Sequence, residues 1–336
     1  MTDPVRAIAD AVLYEGYLLW PYRRSATKNQ RRWTFGGVHP QGHSERHPDD
    51  AWVMRAECLA EDAGDARVEV RARFLQVVAR ALPRDAAGGL EPVDELTVAG
   101  TRHLAFDEAV EREVTLGPLP LGALARAQST VPIAIPAGRE EEALREPGGA
   151  RAGAIVRTWE PLAGTLAAGA ESVADGVARV TVRIANTTPW AGGEREAALR
   201  RTFCSTHAVL RVTGGAFVSQ TDPPEPLRAA AAACRNEGCW PVLVGEPGER
   251  STMLASPIIL EDHPRIAPES PGDLFDGGEI DQLLVLNILS LTDAEKAEMR
   301  ATDPRAREIL ERTEALTPEQ LMRLHGAVRE FGMARR

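Results

Sequence analysis

Four residues of the types that bind zinc stand in two pairs, Cys204-x2-His207 and Cys234-x4-Cys239. Thiolate and imidazole are common ligands of structural zinc, and four of them could complete a tetrahedral site. The interval between the two cysteines is at the wide edge of the usual spacing, and the pattern predicts a helix at Cys234 but a strand flank at Cys204. We therefore predict separately buried thiols, with no metal and no other cofactor. A buried structural thiol is also predicted for Cys58.

Three histidines, His39, His43 and His47, recur at intervals of four within HPQGHSERHP. On a helix, this spacing would place three imidazoles on one face, as in some metal sites. Pro40 and Gly42 argue against a helix here. The alternatives are a metal site and a polar surface loop, and we favour the loop.

The segment PYRRSATKNQRRWTFGG, residues 21–37, interleaves basic and aromatic side chains in an otherwise acidic chain. We predict that it binds a partner through Tyr22, Arg23, Arg24, Lys28, Arg31, Arg32 and Trp33. Such interleaving suits an anion site, a partner surface or stacking on bases. The alternative is a solvated loop whose aromatic side chains pin it to the body of the protein.

An acidic stretch punctuated by proline, residues 256–281, separates strand-like from helix-like sequence. Its prolines exclude a regular helix or a central strand, so we interpret it as a crossing segment. We predict that Glu269, Asp273 and Asp276 join the basic segment in one partner-binding surface, because arginine–carboxylate pairs link loops strongly.

The acidic crossing also supports a different class of function, a hydrolase or a carbohydrate-active β-sandwich enzyme. Its acid and base would come from Glu261, Asp262, Glu269 or Asp273. No apolar stretch surrounds Glu269 or Asp273 to raise the pKa of one carboxyl group above that of the other. We therefore favour a non-catalytic protein and assign no catalytic residue.

Composition limits the remaining classes. The chain has 336 residues, of which 43% are hydrophobic and 26% charged, and its net charge is −10. This acidic balance argues against a general nucleic-acid binder. No run of about 18 apolar residues predicts a membrane span. Four scattered cysteines, and an N-terminus without a signal-peptide core, predict a cytoplasmic protein.

Short alternating segments dominate the middle of the chain and predict an antiparallel β-sandwich-like body. The predicted strands are residues 66–79, 96–99, 110–116, 131–135, 154–159 and 177–185. Hairpins are predicted about Gly214-Gly215 and about the turn at residues 246–248. Residues 50–63 read as an amphipathic helix, residues 140–150 as an exposed excursion or linker, and residues 226–236 as a short helix.

The C-terminal part is helical by periodicity and by its start signals. Residues 279–289 form an apolar pattern broad enough to be buried on more than one side, and we expect this tail to dock on the body. Thr292, Asp303 and Thr317 each open a further helix. The fold class is therefore α+β, with an N-terminal α/β segment at 1–63, a β-rich body at 64–260, and a crossing with a C-terminal helical subdomain at 261–336.

Three stretches, LYEGYLLWPYRRSATKNQRRWTFGG, FVSQTDPPEP and SPIILEDHPRIAPESPGDLFDGGEIDQLLVLNILSLTDAEK, resemble an uncharacterised bacterial protein family found alongside nickel-iron hydrogenases. The resemblance runs from about residue 10 to the C-terminus. It implies an accessory, maturation or structural protein whose partners are hydrogenase subunits or maturation proteins. It transfers no catalytic role to any residue.

Overall fold

The computed structural model describes residues 4–15, 17, 22–26, 29, 35–265 and 281–323. The chain folds into two compact units. The first, called the sheet unit here, consists of Met1–Glu15 and Trp33–Pro264. The second, called the helical unit, consists of Gly16–Arg32 and Arg265–Arg336.

The described part of the sheet unit contains thirteen strands and five short helices. The strands are β1 Val53–Ala86, β2 Gly89–Val93, β3 Glu95–Val98, β4 Thr101–Leu104, β5 Glu108–Pro120, β6 Ser129–Ile135, β7 Gly138–Arg145, β8 Arg151–Trp159, β9 Leu162–Ala174, β10 Val177–Asn186, β11 Cys204–Phe217, β12 Trp240–Leu243 and β13 Thr252–Ser256. The helices are α1 Pro4–Tyr14, α2 Gln41–Ser44, α3 Leu121–Arg126, α4 Arg195–Leu199 and α5 Arg228–Ala232. A 3₁₀ turn at Glu225–Leu227 precedes α5, so helix within the predicted 226–236 segment is short.

Strand β1 is the spine of the sheet unit because five other strands pair with it. Residues 53–61 pair with β10, 60–75 with β11, 67–78 with β5, 79–84 with β8 and 82–86 with β2. All of these pairings are antiparallel. Such a long strand forms because apolar residues alternate along it, and alternate residues between Met54 and Phe74 face one core.

The sheet runs in the order β12-β13-β11-β1-β10-β9-β6, and β5, β8, β7 and β2 extend it from β1. Its core contains alternate residues of the main strands, including Val68, Val70, Phe74, Leu166 and Leu210. The predicted α+β class with an antiparallel, sandwich-like body is confirmed. The predicted strands at residues 66–79, 96–99, 110–116, 131–135, 154–159 and 177–185 are all present, as is the β12–β13 hairpin.

The predicted helix over residues 50–63 is wrong, because β1 already begins at Val53. Met54, Ala56 and Cys58 are buried on alternate positions against the core, and the segment pairs with β10. The apolar residues of this segment, which include Trp52, also fit the 3.6-residue period of a helix. The local sequence is therefore compatible with both a helix and a strand. Pairing with a neighbouring strand decides between them, and β1 continues without a break through residue 63.

The predicted hairpin at Gly214-Gly215 is also wrong, since both glycines lie inside β11. They stand where the register between β1 and β11 shifts, between Asp62 and Arg67. A Cβ on Gly215 would lie 2.4 Å from the Glu61 carbonyl oxygen. The glycines therefore permit a close approach of backbones at a bulge and do not form a turn.

The charged segment at residues 140–150 is mostly strand, which corrects the predicted excursion. Strand β7 pairs antiparallel with β8, and the amide of Gly149 donates to the Glu146 carbonyl at the turn between them. The residues of β7 are exposed except for the buried Leu144 and the half-buried Gly138. Charge is expected there because β7 lies at an edge of the sheet, where charged side chains discourage pairing with another chain.

The helical unit contains α6 Asp281–Leu289, α7 Asp293–Thr302, α8 Pro304–Glu314 and α9 Pro318–Arg323 among its described residues. Thr292 begins α7 with the predicted capping box, and the Asp303 side chain caps α8. Leu283 and Leu286 are about half exposed, so the prediction that the first helix is buried on more than one side is wrong. Docking of this tail on the sheet stays a prediction. None of the described helices is long and apolar enough to span a membrane.

Candidate functional site

The basic segment lies along α7 where the structure describes it, at residues 22–26 and 29. The Arg23 guanidinium is 2.9 Å from a carboxylate oxygen of Glu295. The backbone amide of Arg24 donates to the Thr302 hydroxyl at 3.3 Å. These contacts order the segment and bring basic and acidic side chains together on one surface of the helical unit.

Two tyrosines hold this part of the chain in place. The Tyr17 hydroxyl donates to the Asp303 carboxylate at 2.7 Å, and both side chains are buried. Tyr22 is fully buried and has a left-handed backbone, with φ of 55°. Its side chain therefore anchors the segment, so any contribution of Tyr22 to partner binding would act through the position of its neighbours.

Seven predicted partner-binding residues lie outside the described residues. They are Lys28, Arg31, Arg32, Trp33, Glu269, Asp273 and Asp276. The predicted joint surface between the basic segment and the acidic crossing therefore stays a prediction. The acidic group that the structure places beside Arg23 is Glu295 of α7.

Asp262, one of the carboxylates considered for acid–base chemistry, is bonded to three donors of the protein. It accepts hydrogen bonds from the hydroxyls of Ser219 at 2.5 Å and Thr221 at 2.8 Å, and from the Leu243 amide at 2.8 Å. A carboxylate held in this way fixes the end of β12 against the segment that follows β11. Glu261 beside it is exposed.

The two pairs considered for zinc do not converge. The thiols of Cys204, Cys234 and Cys239 donate to the carbonyls of Thr202, Ala230 and Arg55, respectively. Among the described residues, no group of three or more His, Cys, Asp or Glu side chains is arranged to hold a metal ion. Each thiol thus has a separate acceptor in its own surroundings.

The cysteines that approach each other lie at the start of β1 and beside the loop that follows α5. Burial raises the pKa of the Cys58 thiol far above its ordinary value, and negative charge on Cys234 or Cys239 would raise it further. Burial, followed by the charge of Glu237, raises the pKa of Cys239 to about 12. These thiols are protonated at neutral pH and are therefore poor nucleophiles.

The three regularly spaced histidines form a stack about helix α2, which corrects the predicted loop. The ring centroids of His39 and His43 are 5.4 Å apart and those of His43 and His47 are 4.4 Å apart, with interplanar angles of 25° and 27°. Pro40 precedes the helix, where its missing amide costs no intrahelical bond. A metal bound by two imidazoles lies in the plane of both rings, and stacked, nearly parallel rings share no such position.

One carboxylate, that of Asp50, holds this stack. It lies 2.9 Å from Nε2 of His43 and 3.8 Å from Nε2 of His39. Burial lowers the pKa of His39, although the charge of Asp50 acts in the opposite direction. For Asp50 itself, burial favours the neutral form, but the hydrogen bond from His43 and the charges of His39, His43 and Arg195 together outweigh it and lower the pKa. Asp50 therefore fixes α2 against the chain that leads into β1.

A buried carboxylate that the sequence did not single out, Glu57 of β1, anchors the loop after α5. It accepts a hydrogen bond from the Arg235 amide at 2.7 Å, while its own amide donates to the Asn236 side chain at 2.7 Å. The Arg55 guanidinium also bonds to it. Burial favours the neutral form of Glu57, but these donors outweigh it and lower its pKa.

A cluster of partly exposed carboxylates surrounds the buried Arg73 in the middle of β1. Its guanidinium lies 2.5 Å from Asp10 of α1, 3.5 Å from Glu111 and 3.6 Å from Glu113. His207 is the partner of Arg73 across the sheet and is fully buried. Burial, followed by the charge of Arg73, lowers the pKa of His207 to about 3. The imidazole is therefore neutral, and it tolerates the neighbouring cation for that reason.

No protein-family model matches this chain, and no curated protein is detectably similar to it.

Proposed function

We propose that this chain is a non-catalytic accessory protein that serves a nickel-iron hydrogenase, the role that its sequence resemblance implies. It binds a hydrogenase subunit or maturation protein through the surface of the helical unit where the basic segment lies along α7. The observation that supports a contact surface is the pairing of Arg23 with Glu295 at 2.9 Å. Ordered loops of mixed charge position a protein for a complementary partner and add little stability.

The roles of other polar groups support a binding protein over the alternative hydrolase. Asp262 is bonded to three protein donors and acts as a structural link. The thiols of Cys58 and Cys239 have raised pKa values because they are buried. A general acid or nucleophile needs a group whose pKa and access suit the reaction. The proposal keeps the cytoplasmic location that the scattered cysteines predict.

Affinity purification of the tagged full-length chain from its native host tests the proposal. We expect hydrogenase subunits or maturation proteins to copurify and to be identified by mass spectrometry. Purification of the chain alone, together with turnover of ester or glycoside substrates, would contradict it.

Charge reversal tests the surface itself. Arg24→Glu should weaken capture of the hydrogenase component while leaving the melting temperature nearly unchanged, because a charge at a partly exposed surface position contributes about 0–1 kcal/mol. The matched control is Arg228→Glu, which breaks an exposed pair with Glu225 in the sheet unit and should leave capture intact. If Asp273 belongs to the same surface, Asp273→Arg should partly restore capture in the Arg24→Glu background.

A further inference from the structure

A cleft of about 320 Å³ opens in the sheet unit between α2 and the loop that follows α5. Its apolar lining includes Pro48, Trp52 and Val53. Glu45, at the end of α2, and Glu237, in the loop after α5, contribute carboxylates to the lining. The lining thus combines an aromatic surface with two acidic groups, one from the end of α2 and one from the loop after α5.

Both walls of the cleft are held by polar contacts. On the α2 side, Asp50 binds the imidazole of His43 at 2.9 Å. On the opposite side, the backbones of Arg55 and Glu237 exchange two hydrogen bonds of 3.0 and 2.8 Å. The Glu57 carboxylate holds the same loop further along. A ligand would therefore meet a preformed site, and preorganisation reduces the entropic cost of binding.

The charges of the cleft define the ligand that it can accept. The lining contains two glutamates and, among its described residues, no lysine or arginine. Neither the Glu45 nor the Glu237 carboxylate forms a hydrogen bond or a close ion pair within the part of the chain that the structure describes, although the charge of Glu237 acts on Arg55. The nearby cation Arg55 is bonded to Glu57. The two acidic groups thus remain available to a positively charged ligand.

Trp52 adds a second recognition element. The guanidinium carbon of Arg183 lies 5.0 Å from the centroid of its ring, so this indole already accepts one cation. Its remaining surface faces the cleft together with Pro48. An arginine or lysine side chain has an apolar stem and a charged head, which match this floor and these carboxylates.

We infer that the cleft binds a basic side chain, arginine or lysine, that a partner protein presents. The stem of that side chain packs on Trp52 and Pro48, and its head reaches Glu45 and Glu237. This site lies in the sheet unit and recognises positive charge, so it is distinct from the surface proposed on the helical unit. It does not depend on the identity of the hydrogenase partner.

The test titrates the full-length protein with N-acetyl-arginine amide and follows the indole signal of Trp52 by NMR. Trp52→Phe identifies that signal. N-acetyl-citrulline amide is the matched neutral probe, since it keeps the shape of arginine without its charge. We expect a saturable shift with the arginine probe and none with the citrulline probe. Equal shifts with both probes, or no saturable shift with either, would overturn the inference.

Substitution of the carboxylates separates the cleft from the general acidity of the chain. Glu45→Gln and Glu237→Gln should each weaken binding by about two- to fivefold, the usual range for a solvent-accessible ion pair, and the double variant should weaken it further. The control is Glu140→Gln, which removes an exposed charge from β7. If all three single variants weaken binding equally, the probe is responding to net charge and the cleft is not its site. Both cleft glutamates are exposed, so these variants should fold normally.

Discussion

The two units of this protein hold their chain segments in place by different kinds of polar contact. In the sheet unit, Glu57 binds the amide of Arg235, which is 178 positions away in the sequence. In the helical unit, Thr292 and Glu295 cap a helix only three positions apart. A long-range anchor joins segments that are distant in the sequence, whereas a cap acts on one helical turn. The difference predicts which substitutions destabilise a unit and which affect a single helix end.

The largest effect is expected at Glu57. Glu57→Ala removes a buried carboxylate that accepts from the Arg235 amide and the Arg55 guanidinium, and should lower the free energy of unfolding by about 3 kcal/mol, since hydrogen bonds to a charged group are lost. Denaturant unfolding monitored by tryptophan fluorescence measures this loss. The control is Glu171→Ala, which removes an exposed partner of Arg179 and should change stability by less than about 1 kcal/mol. Equal losses in the two variants would mean that Glu57 is not an anchor.

Asp303 is the group of the helical unit that most resembles Glu57, because it joins distant segments as well as capping α8. It accepts from the Arg305 amide at 2.8 Å and from the Tyr17 hydroxyl at 2.7 Å. Asp303→Ala should cost about 2 kcal/mol, measured by loss of helical circular dichroism on heating. Thr292→Ala, which removes a purely local cap, should cost about 1 kcal/mol. A smaller loss for Asp303→Ala than for Thr292→Ala would remove the distinction between long-range anchors and caps in this unit.

The pH dependence of the sheet unit sharpens the comparison, because a buried neutral histidine occurs beside Arg73. The pKa of His207 is lowered to about 3 in the folded protein, while the unfolded chain keeps the ordinary value of 6.5. Between these two values the unfolded state binds a proton at His207 that the folded state does not. The contribution of neutral His207 to the free energy of unfolding is therefore complete above pH 6.5 and decreases as the pH falls towards 3.

His207→Gln should therefore flatten the decline of stability with acid. At pH 5.5 the titration of His207 accounts for about 1 kcal/mol of the loss relative to pH 7.5. Unfolding free energies of the wild type and the variant, measured across pH 5 to 7.5, give the two slopes. The comparison uses the slope and not the absolute stability, so a general cost of the substitution does not affect it. Parallel slopes would contradict the assignment of this titration to His207.

Local contacts can be predicted from the sequence, whereas contacts between distant segments cannot. The caps at Thr292 and Asp303 and the β12–β13 hairpin were predicted correctly, since each depends on residues close together in the chain. The start of β1 was not, because the period of residues 50–63 fits a helix until β10 is present as a pairing partner. The glycines of β11 likewise require a neighbouring backbone to explain them.

The candidate sites also differ in how far the local sequence predicts them. The composition of residues 21–37 indicates a contact segment, but no local pattern identifies Glu295 as the partner of Arg23, because an acidic position on α7 also fits an ordinary solvated helix face. The cleft was missed entirely. The predicted helix over residues 50–63 places Trp52 in an apolar stripe, and Glu237 lies far from Trp52 in the sequence.

The smallest effect is expected for the pair of Arg23 and Glu295, whose side chains are 23% and 31% exposed. Glu295→Gln keeps an acceptor for the Thr292 amide and removes only the charge, so it separates the ion pair from the capping box. Combined with Arg23→Ala in a double-mutant cycle, it should give a coupling close to the limit of measurement, and one that weakens with added salt. Capture of the hydrogenase component should nevertheless fall in both single variants, because the pair positions the basic segment. A large coupling in stability without loss of capture would mean that the pair serves the fold of the helical unit and not its contact surface.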